Sequence, residues 1–186
     1  MKHPPGTLRI IGGEWRRRLV EFDVSAGVRP TPDRVRQTLF DWLAPLIDGA
    51  HCLDLFAGSG ALGLEALSRG ADHVTFVESG ARQVVAIRSA LLKFDAHARA
   101  TVSNSDALGF LSASRFDVVF LDPPFGANLL QPALARLPGL LKPEARIYLE
   151  WREGESFSLP PGYTLLREKK AGQVSYALAS FSGIAP

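Results

Sequence analysis

From residue 51 onward the chain alternates short apolar runs with stretches whose apolar residues recur at helical spacing, an alternation that very few folds accommodate. Residues 51–56, 73–78, 99–103, 116–121 and 145–151 read as strands, and residues 61–69, 82–94, 107–111 and 129–137 as the helices among them. Strand and helix in strict succession join by right-handed crossovers into a mostly parallel sheet covered on both faces. Residues 163–168 and 173–181, on either side of Ala171-Gly172, read instead as an antiparallel hairpin completing one edge. The expectation is an α/β fold with a mostly parallel seven-stranded sheet.

A hairpin and a helix precede this body. Residues 8–11 and 14–20 flank Gly12-Gly13, which supplies the positive φ of a tight two-residue connection. Thr31 reads as a helix N-cap with Pro32 at the first helical position, and Val35, Leu39, Trp42, Leu43 and Leu46 follow at helical spacing. At 186 residues and 46% hydrophobic composition, the chain suffices for one well-buried domain with a small appendage. The division expected is a basic β-hairpin extension over residues 1–30 and the main domain over 31–186.

Charge supports that division. Residues 1–36 carry eight Lys/Arg against four Asp/Glu, whereas the remainder carries thirteen against fifteen. A basic arm on a nearly neutral body fits an anionic partner such as nucleic acid. Arg9, Arg16, Arg17, Arg18, Arg29, Arg34 and Arg36 form the candidate phosphate track, with Arg16 and Arg18 on one face of a strand and Arg17 opposite. Trp15, beside them, suits the core better than a stacking platform. The lone Cys52 leaves neither a disulfide framework nor a cysteine zinc site, and His3, His51, His73 and His97 lack metal-ligand spacing, so no metal is expected. No apolar run is long enough to span a bilayer, nor do Pro4, Pro5 and Gly6 belong to a signal-peptide core. A cytoplasmic monomer is the expectation.

Two stretches carry the chemistry. The first runs from Asp54 through Phe56, Ala57, Gly58, Ser59 and Gly60 to Gly63, a GxGxxG loop between a strand and a helix, where a ligand can approach backbone N–H groups closely. Glu78 closes the next strand, the place from which a carboxylate binds ribose hydroxyls. Asp54 would attract an ammonium and repel a pyrophosphate, which favours a methionine-bearing nucleoside over a dinucleotide. Asp106, followed by Ala107, fits two roles: acceptor for an adenine amine, or helix N-cap. The second stretch is Asp122-Pro123-Pro124-Phe125, which ends the apolar run 116–121. Two prolines fix the backbone and remove its donors, leaving carbonyls and a carboxylate for a ligand that donates two hydrogen bonds, such as an exocyclic amine. Phe125 could lie flat on the ring carrying that amine.

Together these motifs resemble class I S-adenosylmethionine-dependent methyltransferases of the amino-methylating kind. More closely, Arg9-Ile10-Ile11-Gly12-Gly13, the arginines after Trp15, Arg29-Pro30-Thr31, Asp33-Arg34-Val35-Arg36 and residues 52–71 resemble the RsmD family of bacterial small-subunit rRNA guanine-N2 methyltransferases, over nearly the whole chain. The resemblance implies a Rossmann-like methyltransferase fold, S-adenosyl-L-methionine as cofactor, and methyl transfer to the N2 amine of a guanine in 16S rRNA. It further implies a partly or fully assembled small subunit as partner. Two departures touch the adenosine side: Ser79-Gly80 stands where an acid often follows the glutamate, and no asparagine occurs around Ser89-Ala90-Leu91. Three other readings compete. An adenine-N6 DNA methyltransferase usually carries a target-recognition region for which this chain has little room. Asp54 disfavours a nicotinamide oxidoreductase, and the intact motifs disfavour a non-catalytic RNA-binding module.

Overall fold

The computed structural model describes residues 5–24, 27 and 29–183; His3 and the outermost residues of both expected segments lie outside that set. Two short antiparallel strands, β1 (Gly6–Arg9) and β2 (Leu19–Phe22), come first, followed by helix α1 (Asp33–Leu43). Then come β3 (His51–Asp54), α2 (Ala61–Ser68), β4 (His73–Glu78), α3 (Ala81–Lys93), β5 (Ala100–Asn104), β6 (Phe116–Leu121), α4 (Leu130–Arg136), β7 (Leu141–Arg152), β8 (Tyr163–Ala171) and β9 (Val174–Phe181). The last seven strands form one sheet in the order β5-β4-β3-β6-β7-β9-β8, with β3 to β7 parallel and β9 and β8 antiparallel to their neighbours. The expected seven-stranded α/β sheet and its edge hairpin are therefore present.

This winding creates an opening. The chain moves outward from β3 to β5, then returns to add β6 and β7 on the other side of β3. The loops leaving β3 and β6 diverge, and a crevice forms between the carboxyl ends of those strands. Alternation along each strand sends Cys52, Val118, Phe120 and Tyr148 into one core with α1, α2 and α3, and Leu53, Val119, Leu121 and Leu149 into a second core with α4. Both faces are buried, which is why these strands read as unbroken apolar runs.

The amino-terminal segment differs from the sequence reading in a way that matters. Gly12-Gly13 is not a two-residue turn: β1 and β2 are joined by residues 10–18, closed by Ile10 N–H to the Arg18 carbonyl at 2.9 Å and Arg17 N–H to the Ile10 carbonyl at 2.8 Å. The loop is wider because it is bound to the end of α2. Glu14 N–H donates to the Ser68 carbonyl at 2.7 Å, Trp15 N–H to Ser68 Oγ at 2.9 Å, and the Ser68 hydroxyl to the Gly12 carbonyl at 2.6 Å. Gly13 has φ of +76°, and a Cβ there would lie 1.8 Å from the Ser68 carbonyl oxygen, so only glycine fits. Arg16, Arg17 and Arg18 accordingly occupy a turn, with Arg17 at φ 70°, and do not alternate across a strand. Trp15 is core, stacked on Phe94 at 4.5 Å between ring centroids.

Glu65, fully buried on α2, locks this segment in place. Its carboxylate accepts from Ile11 N–H at 2.9 Å and Gly12 N–H at 2.8 Å, and pairs with Arg69 at 2.7 Å and Arg36 at 3.3 Å. Two further expectations fail locally. Residues 107–109 form a turn and 110–111 continue without regular structure, in place of the expected helix, since five residues with Gly109 among them cannot repay nucleation. Leu46 lies past the end of α1 and is exposed. Among the described residues, no helix is long and apolar enough to cross a membrane.

Candidate functional site

A cavity of about 760 Å³ fills the crevice between β3 and β6. Its first wall grows from the ends of β3 and β4. Asp54, the last residue of β3, is 2% exposed, and one of its oxygens accepts from Gly63 N–H in the first turn of α2 at 3.0 Å. Burial pushes this carboxyl up to about 7, with the nearby Glu78 charge adding to the effect and the Gly63 hydrogen bond opposing it. Gly58 and Gly60 take φ of 52° and 77°, which carries the loop around the cavity floor. A Cβ on Gly63 would lie 2.2 Å from the Phe76 ring, so that glycine lets α2 sit directly on β4.

Glu78 holds the loop from the next strand. One oxygen accepts from Gly58 N–H at 2.7 Å and the other from Gly80 N–H at 2.7 Å. Asp106 caps the turn after β5, accepting from Leu108 N–H at 2.9 Å and Gly109 N–H at 3.0 Å, and it lines the cavity together with Ala107. Its capping role is thus real, although what it caps is a turn. Gln83 on α3 also lines this wall; it is buried, and its amide nitrogen has no hydrogen-bond partner among the described residues. A buried unpaired donor is costly, and a ligand acceptor would relieve it.

The second wall grows from the ends of β6 and β7. Asp122 leaves β6 and accepts a hydrogen bond from the Thr31 hydroxyl at 3.1 Å. Thr31 is therefore not the N-cap of α1; Pro32 occupies that position without a side-chain cap, and the hydroxyl turns to the acid. Glu150 on β7 lines the same wall, 4% exposed, and accepts from the Tyr148 hydroxyl at 2.7 Å. Burial and the neighbouring Glu150 charge push the Asp122 carboxyl well above the usual carboxylate range, against the Thr31 hydrogen bond. Burial likewise raises Glu150, against the Tyr148 hydrogen bond. Pro123 and Pro124 continue the rim, and Phe125 is 44% exposed at its mouth.

The residues predicted for the cofactor and for catalysis converge on this cavity, whereas of the predicted arginines only Arg29 reaches it. Asp54, Phe56, Ala57, Gly58, Ser59, Glu78, Asp106, Ala107 and residues 122–125 all line the cavity, and Gly60 sets the loop behind it. Of the predicted phosphate track, Arg29 lines the rim and Arg9, Arg16, Arg17, Arg18 and Arg34 are exposed. Arg18 also lies over the Phe94 ring at 4.3 Å and donates to the Lys93 carbonyl. Arg36 does not belong to the track. It is 1% exposed and fully committed, pairing with Asp33 at 2.6 Å and with Glu65, and donating to the carbonyls of Arg9 at 2.9 Å and Thr31 at 3.1 Å. Its task is to hold Thr31 in position above Asp122. Thr31, Gln83 and Glu150 are the site residues that motif reading misses. Glu150 lies inside the apolar run 145–151, so no local pattern marks it out.

Comparison with known proteins agrees with this architecture. The family model described as conserved hypothetical protein 95 matches residues 8–180. The ribosomal RNA small subunit methyltransferase D of Escherichia coli strain K12 is 48% identical over 181 residues, covering 93% of this chain and 89% of that protein. The solved structure of yhhF from Escherichia coli superposes with a TM-score of 0.87 at 44% identity, covering 95% of this chain and 99% of that one. A more distant likeness, of fold alone, is to the Thermus thermophilus 16S rRNA N2 G1207 methyltransferase RsmC solved with AdoMet and guanosine, with a TM-score of 0.68 at 22% identity over 97% of this chain and 50% of that one.

Proposed function

Because this chain belongs to the RsmD family of ribosomal RNA small subunit methyltransferases and has their Rossmann-like methyltransferase fold, we propose that it methylates the exocyclic N2 of a guanine in 16S rRNA with S-adenosylmethionine as donor. One observation carries the reading: a single cavity is lined on one side by Asp54, the glycine loop and Glu78, and on the other by Asp122 and its two prolines. The residues present fit the cofactor. Asp54 offers a carboxylate to the ammonium of the methionine moiety, Glu78 to the ribose hydroxyls, and Asp106 and the unpaired Gln83 amide to the adenine edge. When bound there, S-adenosylmethionine supplies an electrophilic methyl on a sulfonium.

The rest falls to the chain. A guanine N2 lone pair is delocalised into the ring and is a poor nucleophile. Hydrogen bonds donated by its two N–H groups to the Asp122 carboxylate and a carbonyl of Pro123 or Pro124 draw the nitrogen toward tetrahedral geometry and aim the lone pair at the methyl. Alignment of this kind is worth about 7 to 11 kcal/mol, against about 3 to 5 kcal/mol for acid–base assistance, so orientation is the larger contribution. As the N2–C bond forms and the donor's sulfur–methyl bond breaks, the Asp122 carboxylate would stabilise the positive charge developing on N2, which is relieved when N2 sheds a proton to Asp122 or to solvent. Phe125, at the mouth, stacks on the base. The reacting edge of a paired guanine is occupied, so the target base is unpaired or turned out of its helix. The exposed arginines of residues 9–34 hold the surrounding phosphates, within a partly or fully assembled subunit.

The test is direct: incubation with isotopically labelled S-adenosylmethionine and small-subunit rRNA, bare or assembled, followed by digestion to nucleosides. N2-methylguanosine is the expected product. Label on adenine N6, or none in either RNA, overturns the reading.

A further inference from the structure

The guanine-N2 reading leaves Glu150 without a task, although it lines the cavity on the wall that receives the base. Its position follows from register. Phe120 pairs with Tyr148 and Leu121 with Leu149 across the parallel strands β6 and β7, so Asp122 and Glu150 come next, side by side and on the same face. Neighbouring strands stand about 4.8 Å apart, a separation over which two carboxylates can receive two donors along one edge of a purine. No Lys or Arg among the described residues makes an ion pair with Glu150, while the Tyr148 hydroxyl, itself fully buried, fixes one of its oxygens. Among the described residues a single hydroxyl answers this buried carboxyl, which retains acceptor capacity for a donor entering the cavity.

Guanine brings such a donor and adenine does not. On the reacting edge guanine carries N1–H beside the N2 amine, whereas the N1 of adenine is a lone pair. We propose that Glu150 is the residue by which this cavity selects guanine, accepting a hydrogen bond from N1–H while Asp122 accepts one from N2–H, with Tyr148 as the positioning residue that orients the carboxylate. This rests on the guanine-N2 reading and adds to it a mechanism of discrimination: adenine in the same place sets an unpaired lone pair against a carboxylate. The competing role, an acid that only exchanges a proton with Asp122, makes no distinction between bases that carry or lack N1–H.

The experiment measures inhibition of methyl transfer to small-subunit particles by guanosine 5′-monophosphate and by 2-aminopurine riboside 5′-monophosphate, which keeps the amine but has no N1 proton. The wild-type protein is expected to favour the guanine nucleotide by about 10-fold to 100-fold. In E150A, and in the isosteric E150Q where Tyr148 engages the single oxygen and the amino group faces the base, the preference should fall below about threefold. Cofactor affinity, measured in parallel, should stay within a few-fold of wild type and certifies that both variants are folded. A preference absent from the wild type, or one surviving in either variant, overturns the assignment. Digestion of the methylated particles separates the two levels of failure: N2-methylguanosine with an unaltered preference refutes the role of Glu150 alone, while a different product refutes the reading beneath it.

Discussion

The two walls of the cavity are built in opposite ways. The cofactor wall is largely local: Asp54, Gly58, Gly60 and Gly63 lie within ten consecutive residues, and Glu78 accepts from Gly58 N–H of that loop with one oxygen and from Gly80 N–H, just beyond its own strand, with the other. The base wall is assembled from afar. Thr31, Asp122 and Glu150 come from three separate regions of the chain, and Arg36 and Glu65 hold the segment that brings Thr31 over the acid. Hydrogen bonds to backbone N–H groups keep a carboxylate ready for a fixed ligand. The half-buried Asp122 and the buried Glu150, on adjacent strands and each bound by a hydroxyl, keep acceptor capacity for a base that arrives and leaves.

If that division is right, the walls fail differently when altered. The largest effect belongs to Asp122→Ala, which removes orientation and charge acceptance together and should slow methyl transfer by at least about 10⁴-fold in single-turnover assays. A loss under tenfold would mean that the prolines alone position the amine. Next comes the frame of the base wall: Arg36→Ala strands the buried Glu65 carboxylate with less compensation and should cost about 3 to 5 kcal/mol of stability in denaturant unfolding. A variant as stable as wild type would show that the amino-terminal segment is not locked through this pair. On the cofactor wall, Glu78→Ala should weaken S-adenosylmethionine binding by about 1 to 3 kcal/mol in calorimetry while sparing the transfer rate at saturation.

The smallest effect is one of pH. Asp54 titrates near 7, so its carboxylate is largely protonated at pH 6 and largely ionised at pH 7.5. Its ionised form attracts the cofactor ammonium, and affinity should therefore rise several-fold across that window, whereas Asp54→Asn should flatten the dependence. Affinity falling with pH in the wild type would show that Asp54 does not face the ammonium. The sign is the reverse of the linkage to folding: a carboxyl raised above its unfolded value destabilises the ligand-free protein as pH climbs from about 4 to 7.

The same contrast explains what was legible in the sequence. Strands β4 and β6 emerge with the bounds their apolar runs suggest, because burial on both faces leaves an unbroken pattern. The glycine loop and the double-proline turn are legible because each acts through its own backbone. The failures at the amino-terminal segment and on the base wall depend on long-range partners, unlike the local one at residues 107–111. Gly12-Gly13 looks like a tight turn until Ser68 and Glu65 draw the loop open. Arg36 looks like one more basic residue of the arm until Glu65 buries it. Thr31 looks like a cap because Pro32 follows it, and only the neighbouring strand end reveals that its hydroxyl serves Asp122. Glu150 requires the register of β6 against β7, which no local pattern specifies.

One titration tests the separation of the two walls most directly. S-adenosylmethionine is titrated calorimetrically into Asp122→Ala and into wild-type protein. The account predicts affinities within a few-fold of each other, in a variant that no longer transfers the methyl group. An affinity loss in Asp122→Ala as large as that of Glu78→Ala would contradict it, and would make the cavity one undivided site.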